Sequence, residues 1–252
     1  MSAADFQVQK KEFLEFLKLL NDNDLLDKVI VAGSWAEFVY AQSGLLKDFD
    51  GSLRTLDVDF LVKNMRLPST PTSLISLAKN AGYDVMHDIM YETTKIITPT
   101  RLEIEFLINQ LGSGEHPVLK TNLGVNAQAL RHMDIALRNA VTVQLLGMPV
   151  TVPKPEAYVL HKMVINSERK PDKQVKDAKA VYHLAPFLDK EVYQDVYDGL
   201  SKKEKKRVDD FILKNGKLFE EEETLEEKLA HADLIAQKYS KNKGFSSKEI
   251  EL

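Results

Sequence analysis

Apolar residues recur along this chain at two periods, and the change of period divides it. Phe13, Leu14, Phe16, Leu17, Leu19 and Leu20 fall at helical spacing between charged residues, which predicts an amphipathic helix over 6–21, broken by Asp22-Asn23-Asp24. The short run 29–32 predicts a strand and 34–42 a helix stopped by Gly44. A second strand, 55–62, is entered through the turn Asp50-Gly51-Ser52. Pro68 and Pro71 open a further helix, 73–80, closed by Gly82, and strands are expected at about 84–86, 93–97 and 102–107. The stretch 109–140 has no clear period: Gly112-Ser113-Gly114 marks a loop, and 126–140 is compatible with helix. Residues 141–146 and 148–152 predict a hairpin turning at Gly147. Beyond Pro153 and Pro155 the spacing is helical only, over 156–167, 172–185, 191–200, 203–215 and 224–239, with the acidic run Glu220-Glu221-Glu222-Glu223 read as a solvated loop. The expected fold class is α/β (α+β): a mixed-sheet domain over 1–152, then a helical domain over 153–252.

Three of the apolar runs do more than build a core. Leu56-Asp57-Val58-Asp59-Phe60-Leu61-Val62 and Arg101-Leu102-Glu103-Ile104-Glu105-Phe106-Leu107 each carry carboxylates at i and i+2, which strand alternation places on one face. Burying unpaired carboxylates costs several kcal/mol each, so a strand built only for packing would not carry them. Two acids about 7 Å apart along a strand, with a third from a neighbouring strand, can hold divalent cations through oxygen ligands. Taken alone, Asp57 and Asp59 also fit a salt-bridged pair at a strand end, partnered by Arg54, Lys63 or Arg66. The third run, Val29-Ile30-Val31-Ala32-Gly33-Ser34, ends in Gly-Ser where a strand gives way to a helix. There the backbone N–H groups face outward, and glycine lets a phosphate come close.

Composition narrows the chemistry. With 44% apolar and 29% charged residues, the 252-residue chain can build an ordinary globular core. A net charge of −4 is no nucleic-acid footprint, so any basic surface is local, as along Arg169, Lys170, Lys173, Lys176 and Lys179. The absence of cysteine excludes disulfides, thiolate metal sites and a cysteine nucleophile. No His-x-His or His-x-x-x-His pair suggests zinc. The first residues lack the features of a signal peptide and no apolar run nears the length of a membrane span, so the expected location is cytoplasmic, with no membrane partner.

Together, Gly33-Ser34, the pair Asp57-x-Asp59 and a later strand acid, Glu103 or Glu105, resemble the polymerase-β-type nucleotidyltransferase superfamily. Arg54-Thr55 before the acid pair, and the segment 153–184 with His161-Lys162-Met163, Arg169 and Lys176-Asp177, are similar to bacterial nucleotidyltransferases related to abortive-infection toxins. This chain has Ala180 where those relatives carry a second acid of a Lys-Asp-x-x-Asp motif. The resemblance covers about 29–184. Glu105 precedes Phe106-Leu107 as the third acid does in the relatives and is preferred to Glu103.

What the resemblance implies is an enzyme that moves a nucleoside monophosphate from an NTP to an acceptor hydroxyl. Asp57, Asp59 and Glu105 would be the catalytic acids and ligands of two Mg²⁺ ions, Mn²⁺ being the substitute, about 4 Å apart. Gly33 and Ser34 would hold the β- and γ-phosphates, and Lys162 would balance their charge. The helical domain would close the nucleotide cleft. The acceptor is left open between a small molecule, a tRNA end and a protein. Two alternatives stand beside this: a catalytically silent nucleotide-binding module, and the toxin component of a toxin–antitoxin pair, with an antitoxin or a second copy as partner.

Overall fold

The structure, a computed structural model, describes residues 3–51, 55–65, 69–88, 92–110 and 117–216, and the chain divides between Pro153 and Lys154 into two units. Arg54, Arg66, Pro68, the loop Gly112-Ser113-Gly114, the acidic run and the helix expected over 224–239 lie outside the described residues.

The first unit is a mixed sheet with helices on it. In chain order its elements are α1 (Ala3–Asp22), β1 (Val29–Ala32), α2 (Trp35–Ser43), β2 (Asp57–Val62), α3 (Leu74–Asn80), β3 (Asp84–His87), β4 (Thr94–Ile97), β5 (Glu103–Asn109), β6 (Val118–Lys120), β7 (Asn126–Leu130), α4 (Asp134–Arg138), β8 (Ala140–Leu145) and β9 (Met148–Pro153). The main sheet runs β1-β2-β5-β4-β3, with β7 joining the far edge of β5 and β6 pairing β7. β1 lies antiparallel to β2, and β2 parallel to β5. β4 flanks the first half of β5 and β7 the second half.

Strand alternation gives this sheet two unlike faces. One carries Val58, Phe60, Ile104, Phe106 and Ile96, all fully buried, and Phe16 of α1 packs on it, its ring centroid 5.5 Å from that of Phe60. Trp35, at the start of α2, is enclosed between Phe13 and Phe38 at centroid distances of 4.5 and 5.7 Å, which makes it a packing residue. The other face is apolar only at one end, where Ile30, Ala32, Leu61 and Leu107 meet Met133 and Ala136 around α4. Its opposite end carries the acids.

The stretch 126–140, compatible with helix by its residues, is a strand followed by one short helix. Asn126-Ala127-Gln128-Ala129-Leu130 alternates between buried and half-buried positions and completes the open edge of β5. Ala, Gln and Leu favour helices in isolation, but the ladder bonds of a buried edge outweigh so weak a preference. The hairpin β8–β9 turns through Leu146-Gly147, both with positive φ (49° and 80°), the backbone that a two-residue primed turn needs.

The second unit is helical: α5 (Pro155–Ile165), α6 (Pro171–Leu184), α7 (Lys190–Asp198) and α8 (Lys202–Asn215). α5 is apolar on nearly every side, with Ala157, Tyr158, Val159, Leu160, Met163 and Val164 buried, and the other three pack around it. Prolines open α5 and α6, and Ser201 with Glu204 forms a capping box on α8.

Candidate functional site

The acids share one face because three strands are locked in register. Asp59 stands opposite Glu105 and Asp57 opposite Glu103 across the parallel β2–β5 pair. Ala32 stands opposite Asp59, so the antiparallel β1 delivers Gly33 and Ser34 to the same end of the sheet. Four carboxylates and the strand–helix turn therefore meet at one corner of the first unit.

Gly33 is the tightest fit there. Its φ of +61° is left-handed, and a Cβ on it would stand 2.3 Å from Asp59 Oδ2. The carboxylate of Asp59 thus rests against the bare Cα, and no other residue type leaves it that room. Ser34 follows as the residue before α2, its Oγ 2.6 Å from Oγ1 of Thr55, which leads into β2. That hydroxyl contact ties the turn after β1 to the approach to Asp57.

Glu103 and Glu105 meet a cation that the sequence reading did not identify. Lys95 of β4 sits opposite Glu105, its Nζ 2.5 Å from Glu105 Oε1 and 2.9 Å from Glu103 Oε2. Burial alone would lower the Lys95 ammonium, but its hydrogen bonds to Glu105 and Glu103, with their charges, outweigh that and hold it above the ordinary lysine range. A signal was there to be read: in Thr94-Lys95-Ile96-Ile97 the lysine interrupts an apolar strand at the parity that faces the acids. A recess of about 190 Å³ adjoins Glu105, lined also by Asp88, Thr93, Lys95 and Gln128. Lys63, one of the partners considered for the aspartates, instead donates to Thr151 Oγ1 at 2.9 Å.

Among the described residues, no three carboxylate or imidazole side chains converge closely enough to hold a metal ion as they stand. The strand positions nonetheless suit an oxygen-ligand set: Asp59 and Glu105 are direct cross-strand neighbours, and Asp57 shares their face. Of these, Glu105 is paired with Lys95.

Lys162 belongs to the helical unit. Its Nζ donates to Asp177 Oδ1 at 2.8 Å and lies 4.8 Å from the ring centre of Tyr158. Asp177 is 2% exposed, and Arg169 Nε stands 3.4 Å from its other oxygen, an ion-pair distance without hydrogen-bond geometry.

No curated protein sequence matches the chain. Over 86% of its length the chain is similar in fold to an antigenic nucleotidyltransferase-like protein from Paracoccidioides brasiliensis, covering 92% of that protein at 15% identity with a TM-score of 0.51. A structure of ANT(2″)-Ia in complex with adenylyl-2″-tobramycin matches over 75% of this chain and 94% of its own at 14% identity, with a TM-score of 0.44. A family model described as nucleotidyltransferase matches residues 11–201, taking in the sheet, the acid face and the helices α5, α6 and α7, and the chain belongs to that nucleotidyltransferase family.

Proposed function

We propose that the protein transfers a nucleoside monophosphate from an NTP to an acceptor hydroxyl and releases pyrophosphate. The observation that carries this reading is the packing of Asp59 onto the bare Cα of Gly33 while it stands in register with Glu105. An acid held against that turn would let one divalent cation meet both the carboxylate and a phosphate bound there.

In this reading Gly33 and Ser34 bind the β- and γ-phosphates at the start of α2, where backbone N–H groups and the helix dipole favour negative charge. Asp57, Asp59 and Glu105 would hold Mg²⁺ or Mn²⁺, which when bound offsets the triphosphate charge and acidifies the acceptor hydroxyl. The acceptor oxygen bonds to the α-phosphorus as the bond to the bridging oxygen of pyrophosphate breaks. Glu105 would orient the hydroxyl and accept its proton. The resemblance implies a phosphate role for Lys162, whose ammonium donates to Asp177 within the helical unit. The acceptor class stays open between a small molecule, a tRNA end and a protein.

The test is to incubate the protein with each α-labelled NTP, Mg²⁺ and a cell lysate, beside Asp59→Asn. Label entering one class of molecule, and absent with the variant, is the expected result. No transfer from any NTP would refute the reading, and NTP binding without transfer would favour the catalytically silent module.

A further inference from the structure

Glu105 is the acid that the proposed transfer asks to do most, yet its side chain is occupied. Lys95 Nζ lies between Glu105 and Glu103 at 2.5 and 2.9 Å, with Lys95 and Glu105 both about 30% exposed, so the bridge is half-shielded from solvent. This is a built contact. Lys95 projects from the strand next to β5, at the position opposite Glu105, and Glu103 follows on the same face two residues earlier. The short turn joining β4 to β5 is fixed by Glu12 of α1, a buried carboxylate that accepts from Thr98 Oγ1, Thr100 Oγ1 and, at 3.1 Å, the backbone N–H of Thr100. That clamp leaves little freedom for β4 to slide along β5.

Resting on the nucleotidyltransferase reading, we propose that Lys95 is the resident counter-ion of the acid face, a positioning residue that competes with the divalent cation for Glu105. Two observations support competition over a merely structural pair. The first is that Glu105 and Asp59 are direct cross-strand neighbours, so the carboxylate that pairs with Lys95 stands beside the aspartate with which it would share a cation. The second is Glu103, which stands opposite Asp57 and offers the ammonium a second seat. When a cation takes Glu105, Lys95 keeps Glu103, and no charge is left without a partner. Glu103 is then not a spare ligand. It is the place to which Lys95 withdraws, and by receiving the ammonium it frees Glu105 for the cation.

The experiment is a titration of Mn²⁺ into the full-length protein without nucleotide, followed by calorimetry and by the loss of the free-ion paramagnetic signal. It compares wild type with Lys95→Met, Lys95→Arg, Glu103→Gln and the double variant Lys95→Met/Glu103→Gln, with Asp59→Asn as control. Lys95→Met is expected to tighten Mn²⁺ binding tenfold or more, and Lys95→Arg to stay near wild type. Glu103→Gln is expected to weaken binding, because Lys95 then has only Glu105, and that weakening should vanish in the Lys95→Met background. A lysine that merely braced the fold would lower thermal stability in Lys95→Met without tightening Mn²⁺. Unchanged or weaker binding in Lys95→Met overturns the competition while leaving the nucleotidyltransferase reading in place. If wild type and Asp59→Asn both fail to bind Mn²⁺, the metal assignment and this inference fall together.

Discussion

At the scale of single residues, the corner is built on one missing methyl group. Alanine at position 33 would face both the left-handed backbone (φ +61°) and the overlap with Asp59 Oδ2. Gly33→Ala should therefore cost about 1–3 kcal/mol of stability, read by urea unfolding, and should abolish label transfer. Placing the same change in an Asp59→Ala background removes the overlap and leaves only the backbone term, so the added cost should drop; equal costs in both backgrounds would mean that Asp59 does not rest on Gly33. The acids themselves make a second comparison. Asp57 and Asp59 are like charges on one strand face, so Asp57→Asn or Asp59→Asn should hold or raise the melting temperature in chelator while removing activity. Near-wild-type transfer by either variant would sink the assignment. Glu105→Gln should cost orders of magnitude in rate and Glu103→Gln much less; the reverse ranking would move the third acid to Glu103.

At the scale of elements, the helical unit is held by polar groups whose loss should be visible. Asp177 has Lys162 at 2.8 Å and is 3% exposed at its side chain, so Lys162→Met strands a buried carboxylate with Arg169 alone. The expected cost is about 3–5 kcal/mol, and the double variant Lys162→Met/Asp177→Leu should regain much of it. Nucleotide affinity in the double variant then separates the phosphate role of Lys162 from its structural one, since stability is largely restored while the ammonium is gone. Glu156 offers a pH test. It is 5% exposed and accepts the backbone N–H of Asp189 at 2.9 Å, and burial, ahead of the lowering effect of that hydrogen bond, raises its carboxyl above the ordinary 4.5. A raised folded-state value means that its contribution is full below pH 4.5 and is lost as pH rises through the raised value. Glu156→Gln keeps the acceptor and discards the charge, so stability should fall less on going from pH 4.5 to 7 than in wild type. An identical pH profile would show that Glu156 is not the group responsible.

At the scale of the whole molecule, what could be read in advance was whatever depends on local period and on residue type at fixed spacing. The strands carrying Asp57, Asp59, Glu103 and Glu105 were legible because their acids alternate with apolar neighbours, and the junction at Gly33-Ser34 because an apolar run ends there. β7 was not, since its place is set by an open edge of β5 some 20 residues earlier in the chain, which no local pattern reports. Lys95 was missed for a related reason: its partners come from the next strand, so only the register of β4 on β5 reveals them. That register also gathers most of the molecule's net charge into one place. Asp57, Asp59, Glu103 and Glu105 against Lys95 leave this face three charges negative, in a chain whose formal net charge is −4. Repulsion between exposed charges is screened over about 10 Å at 0.1 M salt. In chelator, the melting temperature of the wild type should therefore rise relative to that of Asp57→Asn/Asp59→Asn as NaCl is taken from low to moderate concentration. The ion pairs of the rest of the fold are common to both proteins, so their loss to salt cancels in the difference. Parallel salt curves would mean that the carboxylates do not repel one another, and that the face is not held ready for a cation.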